Sequence, residues 1–480
     1  MTEWVGRRVT ILGLARQGTA LVRYLVRAGA EVTVSDLREA DVLRETLASL
    51  KDVPVRYVLG EHSPSILDGA DLLCLSGGVP VDAPIVVQAR QRGIPLSNDA
   101  QIFLARCPAP VVGITGSSGK TTTTTLVGRM LQQAGFLTWV GGNIGRPLVD
   151  RLGEIRSSDR VVMELSSFQL ELMTASPGVA AVLNVTPNHL DRHKTMAVYT
   201  AAKRRIMDFQ DREDLVVLSH DDPGSRDLAP AARGRLAFFG AQGEIPGETG
   251  AFLRDEVVTW RLDGREYPVC RADEIELMGR HNVLNVLAAC VLAGSARAPV
   301  ETMRQVVTSF TGVAHRLQWV RTLRGVCYYD DSIATAPERT VAALRAFDAP
   351  VVLLAGGRDK DLPWDEMAQV ALRRAKHVVA FGEAAGLVER EIENRRLGTP
   401  ALHPQRGASV GDSSPRSGAE QDRRLEGVTR VETLEEAVEE AARVARPGEV
   451  VLLAPGGTSF DAFKDFAERG DRFQALVRAL

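Results

Sequence analysis

Cysteine is scarce in this chain, with Cys74, Cys107, Cys270, Cys290 and Cys327 standing far apart. None has the paired spacing of a metal site, so they are expected as reduced, mostly buried thiols of a cytoplasmic protein. An excess of charge of one sign is missing too. A formal net charge of -3 offers no basic surface to nucleic acid and nothing aimed at an acidic membrane face. No uninterrupted apolar run approaches the length that spans a bilayer, and Met1-Thr2-Glu3-Trp4 lacks the basic flank and apolar stretch of a secretory leader. Neither secretion nor membrane insertion is expected. Core-forming material is plentiful: 45% of residues are hydrophobic and 25% charged, the balance of a globular protein. At about 150 residues per domain, the length predicts roughly three domains. No solenoid-type repeat is evident.

The most informative stretch is Val111-Val112-Gly113-Ile114-Thr115-Gly116-Ser117-Ser118-Gly119-Lys120-Thr121-Thr122. A short apolar strand runs into a glycine-rich turn and then a helix, the arrangement of a phosphate cradle. Gly116 and Gly119 let backbone N–H groups face an anion, the helix start near Lys120 adds its dipole, and Lys120 can reach the outer phosphates. Thr121 then offers a hydroxyl to magnesium. The usual pattern has a glycine five positions before Gly119, where this chain has Ile114. A plain glycine-rich turn is the competing reading.

Upstream, Arg8 to Leu12, the turn Gly13-Leu14-Ala15-Arg16-Gln17-Gly18, a helix through Ala28 and a strand Glu31 to Ser35 ending at Asp36 predict a Rossmann-type opening. The acidic residue would suit a ribose hydroxyl and suggests a dehydrogenase. Ala15, in place of the second glycine of the dinucleotide pattern, argues against one. A nucleotide-shaped anion site and a purely structural turn both remain open. The strand Asp71 to Leu75 delivers a second loop, Ser76-Gly77-Gly78, at a strand's carboxyl end. The first domain is predicted to span 1–107.

Downstream of the cradle come Gly141-Gly142-Asn143-Ile144-Gly145 and a strand Arg160 to Met163 ending at Glu164. A carboxylate there can hold a second magnesium contact, or it can be a solvated or capping glutamate. The apolar strand Val179 to Val185 delivers Asn184, Thr186, Asn188, His189, Asp191 and His193, a polar cluster that suggests a site. Tyr199 to Phe209 reads as a helix carrying Lys203. Asn282 and Asn285, three apart at the opening of another helix, can face one ligand or cap the helix start. The second domain is predicted over 108–312 and the third over 313–480. The third alternates strands (Val326 to Tyr329, Val351 to Ala355, His377 to Phe381, Val450 to Ala454) with helices, so all three domains are α/β. The first and third are predicted as Rossmann-like and the central one as a P-loop ATPase type. Residues 395–426, rich in Gly, Pro, Ser and Arg, read as a mobile insertion.

The succession of the cradle, Glu164-Leu165-Ser166-Ser167-Phe168-Gln169-Leu170-Glu171, Asn184-Val185-Thr186, His189, Gly279…His281-Asn282…Asn285, His315-Arg316 and Asp331-Ser332 resembles the Mur ligase family over nearly the whole chain. The run Ser166 to Glu171 and the final Ser459-Phe460-Asp461-Ala462-Phe463-Lys464-Asp465-Phe466 are similar to its D-glutamate-adding members. The resemblance implies an enzyme of peptidoglycan precursor synthesis that uses ATP to join D-glutamate to UDP-N-acetylmuramoyl-L-alanine through an acyl phosphate; the chain is expected as a monomer.

The resemblance also implies roles for particular residues. ATP would be held by Gly116, Ser117, Ser118, Gly119, Lys120, Thr121, Thr122, Asn282, Asn285, Arg316 and Asp331. The first domain would hold UDP rather than NAD, through Arg16, Gln17, Asp36, Leu37, Arg38, Ser76, Gly77 and Gly78. Asn143, Ser166, Gln169 and His189 would reach the acceptor, and Thr335, Lys360, Ser459 and Phe466 the incoming D-glutamate. Two magnesium ions are implied, one on Thr121 and Glu164 and one among Glu164, His189 and a Lys203 carboxylated on its amine. Lys120, Glu164, His189, Lys203 and Arg316 are the implied catalytic set, with domain closure completing it. Some relatives carry Lys and Asn where this chain has Ile333 and Ala336. Two rival readings stay open: a Mur-type or folylpolyglutamate-type ligase with another acceptor or amino acid, and a nucleotide-sugar-binding regulator that hydrolyses ATP as a timer.

Overall fold

Short apolar runs rich in valine, isoleucine and leucine, each closed by glycine or polar residues, become the strands of three sheets. The computed structural model describes residues 2–277, 279–360, 362–397 and 425–480. The predicted insertion falls mostly on 398–424, outside the described residues; its first residues, Arg395 and Arg396, end a helix, Ala385–Arg396.

The first sheet holds β1 (Arg8–Leu12), β2 (Glu31–Asp36), β3 (Val55–Leu59), β4 (Leu72–Leu75) and β5 (Leu96–Ser97), in the order β3-β2-β1-β4-β5. All its pairings are parallel. The strand order reverses between β1 and β4, so the turns after them face one crevice at the sheet's carboxyl edge. Ser76 Oγ donates to the carbonyl of Gly13 at 2.7 Å and ties the two turns together.

The second sheet has nine strands: β6 (Val111–Thr115), β7 (Thr138–Gly142), β8 (Arg160–Glu164), β9 (Val179–Val182), β10 (Leu215–Ser219), β11 (Arg235–Gly240), β12 (Gly250–Arg254), β13 (Val257–Leu262) and β14 (Arg265–Arg271). Their order is β14-β13-β12-β11-β10-β9-β6-β8-β7, parallel except for the antiparallel edge β12-β13-β14. Every residue of β6 is buried, as a central parallel strand covered on both faces requires. The helix Arg280–Ser295 is apolar nearly all round, with Asn285 through Gly294 buried without interruption, so it sits inside rather than on the surface. Residues from Trp4 to Phe252 share one apolar core, which joins these two sheets into a unit spanning Met1–Phe310.

The other unit, Thr311–Leu480, is built on β15 (Gln318–Leu323), β16 (Val326–Asp330), β17 (Val351–Gly356), β18 (Ala375–Phe381), β19 (Gly427–Arg430) and β20 (Val450–Gly456). Their order is β15-β16-β20-β17-β18-β19, with only β15 antiparallel. Loops after β16, β17 and β20 therefore open at the same edge. The chain thus has the expected three-domain α/β architecture. No helix among the described residues is long and apolar enough to cross a membrane.

Two expected elements differ in extent. The strand expected to reach Val185 ends at Val182, because Leu183 and Asn184 turn to meet the cradle: Leu183 N bonds Thr115 O at 2.9 Å and Ser117 N bonds Asn184 O at 3.0 Å. The helix expected over Tyr199 to Phe209 is Met196–Arg204. Thr195 starts it early by accepting a hydrogen bond from Val198 N on its hydroxyl.

Candidate active site

The carboxyl ends of β6, β8 and β9 lie side by side and deliver the cradle, Glu164 and Asn184 to one place. Gly119 has φ of +77° and caps the helix Lys120–Gln133, a conformation that a side chain disfavours. A Cβ there would sit 2.2 Å from Asn285 Oδ1, so the glycine also admits the helix Arg280–Ser295. Asn184 braces the loop: its Oδ1 accepts from Ser118 N at 2.8 Å. Ser117 Oγ donates to Thr186 O at 2.9 Å and lies 3.1 Å from Tyr199 OH. Lys120 Nζ folds back onto Gly116 O and Ser117 O at 2.8 and 3.3 Å, poised over the loop it would share with phosphates.

Thr121 Oγ1 donates to Glu164 Oε2 at 2.8 Å, and Asn143 Nδ2 donates to Glu164 Oε1 at 2.9 Å. Glu164 is buried, so these bonds fix both of its oxygens. Asn285 donates to Asn282 Oδ1 at 3.0 Å, so the two asparagines do share one place on their helix.

Lys203 is 1% exposed, with its amine 4.5 Å from the centre of the Tyr199 ring. Burial, with the charge of Lys120 adding to it, pushes the amine down from 10.5 to about 6. At neutral pH it is therefore mostly uncharged and nucleophilic. His189 has φ of 52° and presents its ring edge-on to Phe168, with centroids 5.2 Å apart. Among the described residues, no group of three or more His, Cys, Asp or Glu gathers as a metal site. A hydroxyl and a carboxylate side by side fit a magnesium ion, whereas Lys203 fits one only as its carbamate.

Ser166 and Gln169 form a reciprocal capping box on the helix Ser167–Leu170, each side chain bonding the other's backbone N–H at 3.2 Å. That helix is pinned to the first sheet. Asn98 Nδ2 donates to Gln169 O at 2.7 Å, and Gln169 Nε2 lies 3.3 Å from both oxygens of Asp99. Burial lifts Asp99 from 3.8 to about 6, against the pull of its Gln169 hydrogen bond. A small pocket here is lined by Ser76, Gly77, Asn98, Phe168 and Gln169 among others.

At the first sheet, Asp36 accepts from Leu14 N at 2.7 Å and from the Arg38 guanidinium at 2.9 and 2.7 Å. Burial works against its charge, yet Arg38 and the amides of Leu14 and Arg38 hold it at about 2. Arg16 donates to Asn143 O at 2.9 Å, bridging the Gly13 turn to the central sheet. Gln17 follows in the helix Arg16–Arg27, and Leu37 is exposed. Arg192 reaches Gly78 O at 3.3 Å from the other side.

In the unit Thr311–Leu480, Asp331 Oδ1 accepts from Leu317 N at 2.9 Å, and burial lifts its carboxyl from 3.8 to about 7 although Arg316 opposes this. Arg469 is fully buried and holds the carbonyls of Ser332, Gly457 and Thr458 at 3.0 to 3.2 Å, locking the loops after β16 and β20. Ser332 Oγ donates to the carbonyl of Phe466, and Ser459 is buried in the β20 loop. Thr335 is half-buried; Lys360 is lowered by burial and then by the charges of Arg339 and Arg469. Arg339 donates to Ile333 O at 3.2 Å and brings a cation to the segment where the chain lacks lysine.

Sequence reasoning missed Asn98, Asp99 and Tyr199. Asn98 carried a signal, a helix-capping residue ahead of Asp99–Leu104; a lone tyrosine in a helix carried none.

Residues 7–98 match the family model of the Mur ligase MurD-like N-terminal domain, 114–293 that of the Mur ligase middle domain, and 315–457 that of the Mur ligase glutamate ligase domain. A UDP-N-acetylmuramoylalanine–D-glutamate ligase of Symbiobacterium thermophilum is 42% identical over 473 residues, 98% of each chain. One from Acetivibrio thermocellus is 39% identical over 474 residues, 99% of this chain and 97% of that protein. The crystal structure of a UDP-N-acetylmuramate-alanine ligase from Thermotoga maritima superimposes with a TM-score of 0.51 at 20% identity, covering 98% and 99% of the two chains, and bears on the fold alone. With its three domains matched in order and relatives of this identity along its full length, the chain belongs to the Mur ligase family, in the branch of the UDP-N-acetylmuramoylalanine–D-glutamate ligases.

Proposed function

We propose that this chain joins D-glutamate to the L-alanyl carboxylate of UDP-N-acetylmuramoyl-L-alanine, with ATP converted to ADP and phosphate. The observation that carries the reading is the meeting of a phosphate cradle and the Thr121–Glu164 pair at adjacent strand ends, with the neutral Lys203 amine over the Tyr199 ring whose hydroxyl lies against Ser117 of the cradle. A carboxylate resists attack by an amine because oxide is a poor leaving group. Transfer of the γ-phosphoryl group to that carboxylate makes an acyl phosphate; the D-glutamate nitrogen then attacks the carbonyl carbon, the C–O bond to phosphate breaks, and the amine loses a proton.

Gly116 to Thr122, with Asn282 and Asn285, hold the triphosphate, and Lys120 offsets charge on the group in transit. Magnesium at Thr121 and Glu164 would neutralise phosphate charge and align the γ-phosphoryl group for transfer. The neutral Lys203 amine adds to carbon dioxide, forming an N–C bond and releasing one N–H proton, which turns a neutral group into an anion fit for a second ion with Glu164 and His189. Asp36, Arg38, Arg16, Gln17, Leu37 and the Ser76-Gly77-Gly78 loop serve the UDP group. Asn143, Ser166, Gln169 and His189 position the acceptor. Thr335, Lys360, Ser459 and Phe466 take D-glutamate, and Arg316 and Asp331 complete the ATP contacts.

The test is an isotope transfer. Heavy oxygen placed in the acceptor carboxylate should appear in the released phosphate, one atom per amide formed. Phosphate free of label would contradict the acyl-phosphate route.

A further inference from the structure

His193 belongs to the polar cluster after β9, but none of the roles above uses it. Its side chain is fully buried, which is costly for an imidazole unless its nitrogens are engaged. Nε2 lies 2.9 Å from Ser167 Oγ, while Nδ1 lies 3.0 Å from Glu171 Oε1, within ion-pair distance but without hydrogen-bond alignment. The ring also stacks on Phe168, with centroids 5.2 Å apart and planes 3° from parallel. All three partners lie on or just beyond the helix Ser167–Leu170, which Ser166 and Gln169 cap.

The other side of the imidazole faces the reaction machinery. Tyr199 packs against it at 5.0 Å, while the Tyr199 hydroxyl meets Ser117 of the cradle and its ring lies beneath the Lys203 amine. His193 also ends the short helix that His189 begins, and both histidines contact the Phe168 ring. One buried side chain thus touches the capped helix and Tyr199, and sits one turn from His189.

We propose that His193 is a positioning residue: through Ser167, Glu171 and Phe168 it fixes the capped helix that presents Ser166 and Gln169 to the acceptor, in register with His189. This rests on the acceptor role proposed above for Ser166, Gln169 and His189. Loss of the two polar contacts leaves the helix, only four residues long, free to shift while the cradle keeps its own braces from Asn184 and Thr186. The effect falls on the acceptor and spares the nucleotide.

The test is His193→Phe, which keeps a ring against Phe168 and removes both polar contacts, set beside Ser167→Ala and Glu171→Gln. The expected result is a KM for UDP-N-acetylmuramoyl-L-alanine raised about tenfold, with those for ATP and D-glutamate within about twofold of the parent. Adding Ser167→Ala to His193→Phe should raise the acceptor KM no further, since both break one contact. An unchanged acceptor KM, or three KM values rising together, would overturn the proposal. Should His193→Phe fail to fold, Glu171→Gln alone carries the same KM criterion. If the parent chain makes no amide at all, the ligase reading fails instead. Calorimetric titration with the acceptor then decides on His193, an unweakened affinity in the variant overturning the proposal.

Discussion

The hydroxyl of Thr121 donates to Glu164 Oε2 at 2.8 Å, joining the first turn of the cradle helix to the end of β8. Each comes from a different strand-to-helix or strand-to-loop junction, and only the pairing of β6 with β8 brings them together. A carboxylate held by Thr121 and Asn143 is ready to receive a cation without rearranging.

Glu164→Gln keeps the shape of this pair and removes its charge. Turnover should fall by about a hundredfold or more, with little change in melting temperature. Raising magnesium should recover little of it. Steady-state kinetics across a magnesium series checks this, and full recovery at high magnesium would assign Glu164 to ion affinity alone.

Gly119→Ala places a Cβ at a φ of +77° and 2.2 Å from Asn285 Oδ1. The left-handed conformation alone costs about 1–2 kcal/mol, and the clash adds to it. The variant should melt lower and bind ATP weakly. Adding Asn285→Ala should restore part of the stability, because the colliding oxygen is gone, but not the ATP affinity. Thermal melts with and without ATP separate the two effects.

The Lys203 amine is lowered from 10.5 to about 6, so between those values the unfolded chain holds a proton that the folded chain lacks. Stability from this site is therefore full above 10.5 and declines as pH falls through about 6. In buffer free of carbon dioxide, Lys203→Met should raise the melting temperature at neutral pH and raise it less near pH 10.5, while abolishing turnover. Melts at both pH values, paired with turnover, measure it. A variant with parental turnover would remove Lys203 from the mechanism.

Asp99 runs the other way. Its carboxyl is raised from 3.8 to about 6, so the folded chain holds the extra proton, and the contribution to stability is full below 3.8 and lost as pH rises through about 6. Asp99→Asn, which can still accept from Gln169, should gain stability over the parent as pH rises from about 3.8 to about 6, with no further gain above that. Melting curves over that range decide; a difference that is flat with pH would place the ionisation elsewhere.

Much of this was legible in the chain itself. β1, β6, β16 and β20 stand out because buried parallel strands are continuous apolar runs closed by glycine or acidic residues. The Thr121–Glu164 pair followed from the same logic, a hydroxyl and a carboxylate each one step beyond a strand. The antiparallel edge β12-β13-β14 was not legible: Arg254 and Arg265 bound short strands, Arg261 sits within one, and their pairing depends on β11 already being in place. Asp99, and the contacts of His193 within its polar cluster, were opaque for a different reason. Their environments are made by Gln169, Ser167 and Glu171, some 70 and 26 residues away for the first two, and no local pattern records contacts at such separations.

Phosphate release is the most direct measure of the central claim, taken with magnesium, ATP and UDP-N-acetylmuramoyl-L-alanine and comparing D-glutamate with L-glutamate, glycine and no amino acid. Release matched one for one by amide product, and only with D-glutamate, is the predicted result. Release indifferent to the amino acid, with no amide formed, would leave the phosphate cradle standing and contradict the ligase.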